Sequence, residues 1–149
     1  MEIEDSKETY QLIQLTPEDI SNDWEAISEA ISASLPPTTN GELGNAMNQL
    51  LSGEMKCWVL YSEEEPWVLG TIIPIKEPVS GIENLLLYSV YGYKPINLGI
   101  WTMLLSKLKS YAKSKGYKNI IAFSNVERII RLIGTLGGDA SFRLLKMEV

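Results

Sequence analysis

Apolar positions recur along the chain with two periods, and the switches between them delimit the elements. Thr9 to Leu15 alternates imperfectly, with Tyr10, Leu12 and Leu15 marking a first strand behind an acidic, polar segment, residues 1–8, that reads as a tail. Thr16-Pro17-Glu18-Asp19 then offers a hydroxyl cap, a proline at the first helical position and an acid three residues after the cap. Ile20, Trp24, Ile27 and Ile31 follow at helical spacing, which predicts one helix ending before Pro36-Pro37. Leu43, Met47, Leu50 and Leu51 predict a second helix from about Asn40 to Leu51, closed by Gly53.

From Lys56 the texture is β. Cys57 to Tyr61, a turn around Glu63-Glu64-Glu65-Pro66, and Trp67 to Ile73 before Pro74 make a hairpin. Leu85 to Tyr91 is apolar on both faces, as a central strand covered on both sides requires. Ile100, Trp101, Leu104, Leu105, Leu108, Tyr111 and Ala112 form the buried stripe of a long helix closed by Gly116. Tyr117 to Phe123 predicts a short strand, Val126 to Leu136 a short helix, and Ser141 to Val149 a last strand after the turn Gly137-Gly138-Asp139. The order describes one α/β domain, 1–149, in which helices cover a mixed sheet.

Composition narrows the chemistry. With 149 residues, 45% hydrophobic and 21% charged, the chain can bury its own core, which excludes a disordered class. Its apolar runs fall short of the roughly 20 residues that span a bilayer, and its start is acidic with no apolar leader, so a cytoplasmic protein without membrane contact is expected. One cysteine and no histidine exclude an internal disulfide, Ser-His-Asp or Cys-His catalysis and histidine-held metals; no metal is expected. Cys57, beside Trp58, reads as a small core residue.

The net charge of −6 disfavours nucleic acid as a partner, yet it is unevenly spread. Residues 1–65 hold 14 acidic and 2 basic side chains, whereas residues 66–149 hold 5 acidic and 11 basic, so the second half alone could attract a polyanionic ligand. Lys107, Lys109, Lys113 and Lys115 read first as the solvated face of their helix.

The element order, and above all the segment from Val90 to Gly138, resembles the GNAT superfamily of acyl-CoA-dependent N-acyltransferases. That family carries a turn Arg/Gln-x-x-Gly-x-Gly/Ala after its fourth strand, and the following helix ends with Gly-Tyr. Here Gly99 opens the helix, Leu104-Leu105 supplies the family's paired aliphatics, and Gly116-Tyr117 closes it. Arg131-Leu132-Ile133-Gly134-Thr135-Leu136-Gly137-Gly138 lines up with the family's Arg-Leu-Tyr-Glu-Lys-Leu-Gly-Phe, and Asn125 lies near the family's asparagine after the fifth strand.

The resemblance implies a GNAT-like, mostly antiparallel sheet flanked by about four helices. It also implies acetyl-CoA as cofactor, bound by Val90, Tyr91, Asn97, Leu98, Gly99, Ile100, Trp101 and Asn125, because unpaired amides at a helix start bind phosphate. The chain departs from the pattern at three positions. Ile96 replaces the leading Arg or Gln, Trp101 the second small residue, and Ile133 the tyrosine that reprotonates the leaving thiolate. Tyr88 and Tyr91 are the substitute acids near the cleft, and Glu83 is the candidate base. Lys94 gives an alternative start for the loop, in a register that fits the other landmarks less well.

Two functional readings follow. One is an N-acyltransferase moving an acetyl group to a small-molecule or protein amine. The other is an inactive GNAT-like binding or assembly module with a protein partner or a second copy, phage-encoded and virion-associated in one version.

Overall fold

The computed structural model describes the backbone of residues 2–5, 8–36, 39–124, 127–142 and 145–149, and side chains within 9–36, 39–124, 127, 129–142 and 145–149. Six strands form one sheet in sequence order: β1 (Glu2–Asp5), β2 (Glu8–Gln14), β3 (Lys56–Ser62), β4 (Glu65–Lys76), β5 (Glu83–Gly92) and β6 (Ile120–Ile121). All neighbours run antiparallel except β5 and β6, which are parallel. Part of the segment expected as a tail is thus a strand, β1, which pairs with β2 from Glu2↔Gln11 to Asp5↔Glu8.

The described residues form five helices, α1 (Pro17–Asn22), α2 (Trp24–Ser34), α3 (Asn40–Ser52), α4 (Leu98–Ser114) and α5 (Glu127–Thr135), of which α1–α4 contribute to the cores on the sheet. Thr16 and Asp19 form the expected capping box, each side chain accepting the other's backbone N–H. The single helix predicted to follow it is broken at Asp23 (φ −111°, ψ 20°). Ser21-Asn22-Asp23 is a run of short polar residues that compete with the helical backbone, and apolar periodicity does not register such a break. The predicted α3, α4 and hairpin stand, with Gly53 and Gly116 at positive φ closing the two helices.

Strand β4 continues through Pro74 to Lys76. Strand β3 ends opposite Ile72, so beyond that point one edge of β4 has no ladder for a proline to break. Pro37 and Val126 lie outside the described residues. The predicted last strand is not formed: residues 141, 142 and 145–149 are irregular, with Phe142, Leu145 and Met147 at least 80% exposed. A strand needs a partner, and β6, two residues long, offers almost no ladder.

The two faces of the sheet carry different cores. Under α1–α3 lie Ile20, Ile27, Ile31, Leu50, Cys57, Val59 and Leu69, with Tyr61, Tyr88 and Tyr91 packed at their margin. Under α4 lie Tyr10, Leu60, Val68 and Ile100 at one end, and Ile72, Leu85 and Ala112 at the other.

Candidate functional site

Strand β5 pairs with β6 only at Leu85↔Ile120 and Leu86↔Ile121. From residue 87 to 92 its outer edge has no strand partner among the described residues; this open stretch is the splay, or wedge, referred to below, with its mouth at the C-terminal end of β5. The chain then turns and enters α4 at the same end, so the helix N-terminus stands at that mouth.

Asn97 is the N-cap of α4, and its Oδ1 accepts the Ile100 N–H at 2.9 Å. The first helical backbone bond is Trp101 N–H to the Asn97 carbonyl. The amides of Leu98 and Gly99 donate to no group among the described residues, and no acidic side chain occupies the first turn. Two free amides at the positive end of the helix dipole suit a phosphate or pyrophosphate. Asn97 narrows that cradle by capping the third amide itself. Ile96 and Trp101 both pack into the core under α4, so the indole does not fill the space in front of the amides. Lys94 is ion-paired with Glu65, and its ammonium lies 5.0 Å from the centre of the Trp67 ring.

A second feature escaped the sequence. Across β4 and β5 the pairing steps from Thr71↔Ser89 to Ile72↔Leu87, so Tyr88 is an inserted, unpaired residue. Leu87 packs under α4, Tyr88 under α1–α3, Val90 under α4 and Tyr91 under α1–α3. Ser89, directly opposite Thr71 and so in the row of Cys57, shares the α1–α3 face with Tyr88. A strand without the insertion would place Tyr88 and Tyr91 on opposite faces.

Tyr91 meets Tyr93 edge to face at 4.9 Å. Burial, and next to it the Glu42 carboxylate, raises the Tyr88 pKa above the ordinary tyrosine value. Burial likewise raises Tyr61, assisted by Asp23, Cys57 and Asp19, and it raises Tyr93, assisted by Cys57, Tyr61 and Tyr91. Tyrosines held in the protonated form are donors at neutral pH. Cys57 is 1% exposed and burial pushes its thiol up to about 12, which fits a core residue.

Of the residues singled out from sequence, Tyr88, Val90 and Tyr91 lie on the splayed part of β5, and Asn97, Leu98, Gly99, Ile100 and Trp101 at the start of α4. Glu83 does not join them. It begins β5 at the closed end of the wedge, about 23 Å along the strand from Val90 at roughly 3.3 Å per residue. Asn125 lies outside the described residues. Ile133 is half-buried on α5, and its Cγ2 would lie 2.4 Å from a Cβ at Gly138, so the helix end closes tightly over it. The carboxylates of Glu42, Asp19 and Asp23, near the tyrosines, were not among the sequence candidates; only tertiary packing brings them there. A shallow cavity of about 230 Å³ lined by Lys56, Ile72, Leu85, Tyr111, Lys115 and Tyr117 lies at the opposite end of α4.

No protein-family model matches the chain, and no curated protein matches it in sequence. Solved structures do match. An aminoglycoside N-acetyltransferase in complex with CoA superposes with a TM-score of 0.73 at 10% identity, over 99% of both chains. A predicted acetyltransferase of Clostridium acetobutylicum with acetyl-CoA gives 0.69 at 18% identity, over 93% of this chain and 96% of that one. A ribosomal-protein-alanine N-acetyltransferase of Brucella melitensis gives 0.68 at 12%, over 94% and 99%. The chain has the GNAT fold. Among the described residues no cluster of Cys, Asp and Glu could hold a metal ion, and no helix is long and apolar enough to cross a membrane.

Proposed function

We propose that the protein is an N-acyltransferase that moves an acetyl group from acetyl-CoA to an amine. The observation that carries this reading is the coincidence at one end of the sheet of three features: the β5 splay, the bulge at Tyr88, and an α4 N-terminus with two free amides. Acetyl-CoA, bound there, supplies an acetyl thioester. The Leu98 and Gly99 amides hold its pyrophosphate, and the unpaired edge of β5 around Val90 and Tyr91 offers main-chain groups to orient the thioester and polarise its carbonyl. In this reading Tyr88, protonated and partly buried at the margin of the α1–α3 core, returns a proton to the leaving sulfur, the role that Ile133 cannot fill.

The acceptor side is the α1–α3 face. Residues 17–52 hold six carboxylates and no lysine or arginine, a field that favours a cationic amine. The test is thiol release from acetyl-CoA in the presence of spermidine, against a neutral, uncharged amine of similar size. Turnover that depends on spermidine supports the reading. Acetyl-CoA that binds without turnover with either amine would favour the inactive binding module, consistent with Ile133 at the family's tyrosine position.

A further inference from the structure

Residues 84–126 hold six lysines and no acid, and of the six Lys94 is ion-paired with Glu65. The other five lie on α4 or just after it, four of them at Lys109 or beyond, toward the cavity at its C-terminal end, a feature the acyltransferase reading leaves without a use. That cavity has a cause in the sheet. Strand β3 begins at Lys56, opposite Ile72, whereas β4 runs on to Lys76, so β4 overhangs its neighbour. The place left beside the overhang has a volume of about 230 Å³, with Ile72, Pro74 and Leu85 as its apolar lining and Tyr111, Lys115 and Tyr117 supplied by the end of α4 and the turn after it.

Its polar lining is rich in unused donors. The Tyr111 and Tyr117 hydroxyls bond to no group among the described residues. Burial, and next to it Tyr117, raises the Tyr111 pKa, so that phenol is a donor at neutral pH. The Lys115 ammonium lies 6.0 Å from the centre of the Tyr111 ring, and the Lys56 ammonium donates to the Gly53 carbonyl at 3.1 Å with two protons left over. Neither lysine is ion-paired with a carboxylate among the described residues, and against the two of them Glu54 is the one acid of the lining. The negative end of the helix dipole does not offset this, because the carbonyls of Tyr111, Ala112 and Lys113 accept the amides of Lys115, Gly116 and Tyr117.

We propose that this cavity is a second ligand site, separate from the mouth of α4, and that it takes a small organic anion. Lys56, Lys115 and the two phenols hold its carboxylate or phosphate, and Ile72, Pro74 and Leu85 receive its apolar body. Pockets for drug-sized ligands begin at roughly 300 Å³, so the occupant is smaller than those. The site lies about 24 Å along α4 from Leu98, at roughly 1.5 Å per residue, and does not depend on the acyltransferase reading.

The test is a nuclear magnetic resonance titration of the full chain with benzoate, phenyl phosphate and the neutral isostere benzamide. Saturable shifts centred on Lys56, Tyr111, Lys115 and Tyr117 are expected with benzoate or phenyl phosphate, and the tighter of the two names the anionic group. Benzamide should bind at least about tenfold more weakly, and Lys115→Gln, at an exposed position, should weaken the anion about tenfold. Glu54→Gln, which removes the opposing charge, should tighten it. No saturation by either anion up to about 10 mM, shifts centred on the mouth of α4 instead, equal binding of benzamide, or an unchanged affinity in Lys115→Gln would each overturn the proposal.

Discussion

At its start, β5 is paired on both edges: Leu85 and Leu86 meet Pro74 and Ile73 on one side and Ile120 and Ile121 on the other, and the Asn119 amide donates to Asn84 at 3.0 Å. At its end the same strand keeps β4, loses β6, takes in an extra residue and stops beside a helix with unused amides. Both ends are built of leucine, valine and tyrosine, so hydrophobicity does not separate them. The difference lies in how much backbone hydrogen bonding is completed. The closed end spends its main-chain groups on the fold, and the open end leaves them for a ligand.

That contrast predicts separable effects. The largest belongs to the closed end: Leu85→Ala, at a side chain 1% exposed, should cost about 2–5 kcal/mol of stability by equilibrium denaturation. If the open end binds ligand independently, acetyl-CoA affinity of the fraction still folded should be unchanged. Next comes Tyr88→Phe, which should lower kcat by about 10²-fold with a small change in melting temperature. The pH profile sharpens this assignment. Burial raises the Tyr88 pKa, so the alkaline fall in kcat should lie above the ordinary tyrosine value of about 10. A fall near pH 8 would point to another acid.

A smaller effect is expected from Leu98→Pro. Proline suits the first helical position, and Asn97 already has the extended backbone that precedes a proline (φ −76°, ψ 163°). The substitution therefore deletes one free amide with stability held within about 0.5 kcal/mol, and acetyl-CoA affinity, read by calorimetry, should drop about tenfold. The smallest effect returns to the closed end: Asn119→Ala, at an exposed pair, should cost about 0.5–1 kcal/mol and leave ligand binding untouched.

Sequence reading reached the elements whose signals are local. The Thr16 capping box, the Gly53 and Gly116 helix ends and the two-sided apolarity of β5 each follow from one short stretch of chain. It missed what depends on a partner. The β1 ladder joins acidic residues that carry no strand pattern, and the residues of the expected last strand that the structure describes form no ladder. The bulge at Tyr88 shows only in the pairing of β5 with Thr71 and Ile72 of β4, so no periodicity in β5 alone reveals it. The same limit applies at the site. Glu83 stood out as a carboxylate near a strand start, but strand length removes it from the wedge, whereas Glu42 comes from α3 to the neighbourhood of Tyr88 only through folding.

The most direct measurement is a thermal-melt titration of the intact protein and of Leu98→Pro with acetyl-CoA and with CoA. At about 100 times its dissociation constant a ligand adds roughly 2.7 kcal/mol, enough to raise the midpoint by several degrees. The account predicts a saturable rise with both ligands and a titration displaced to about tenfold higher concentration in Leu98→Pro. No shift up to millimolar ligand, or identical curves for the two proteins, would contradict the claim that the mouth of α4 is the coenzyme site.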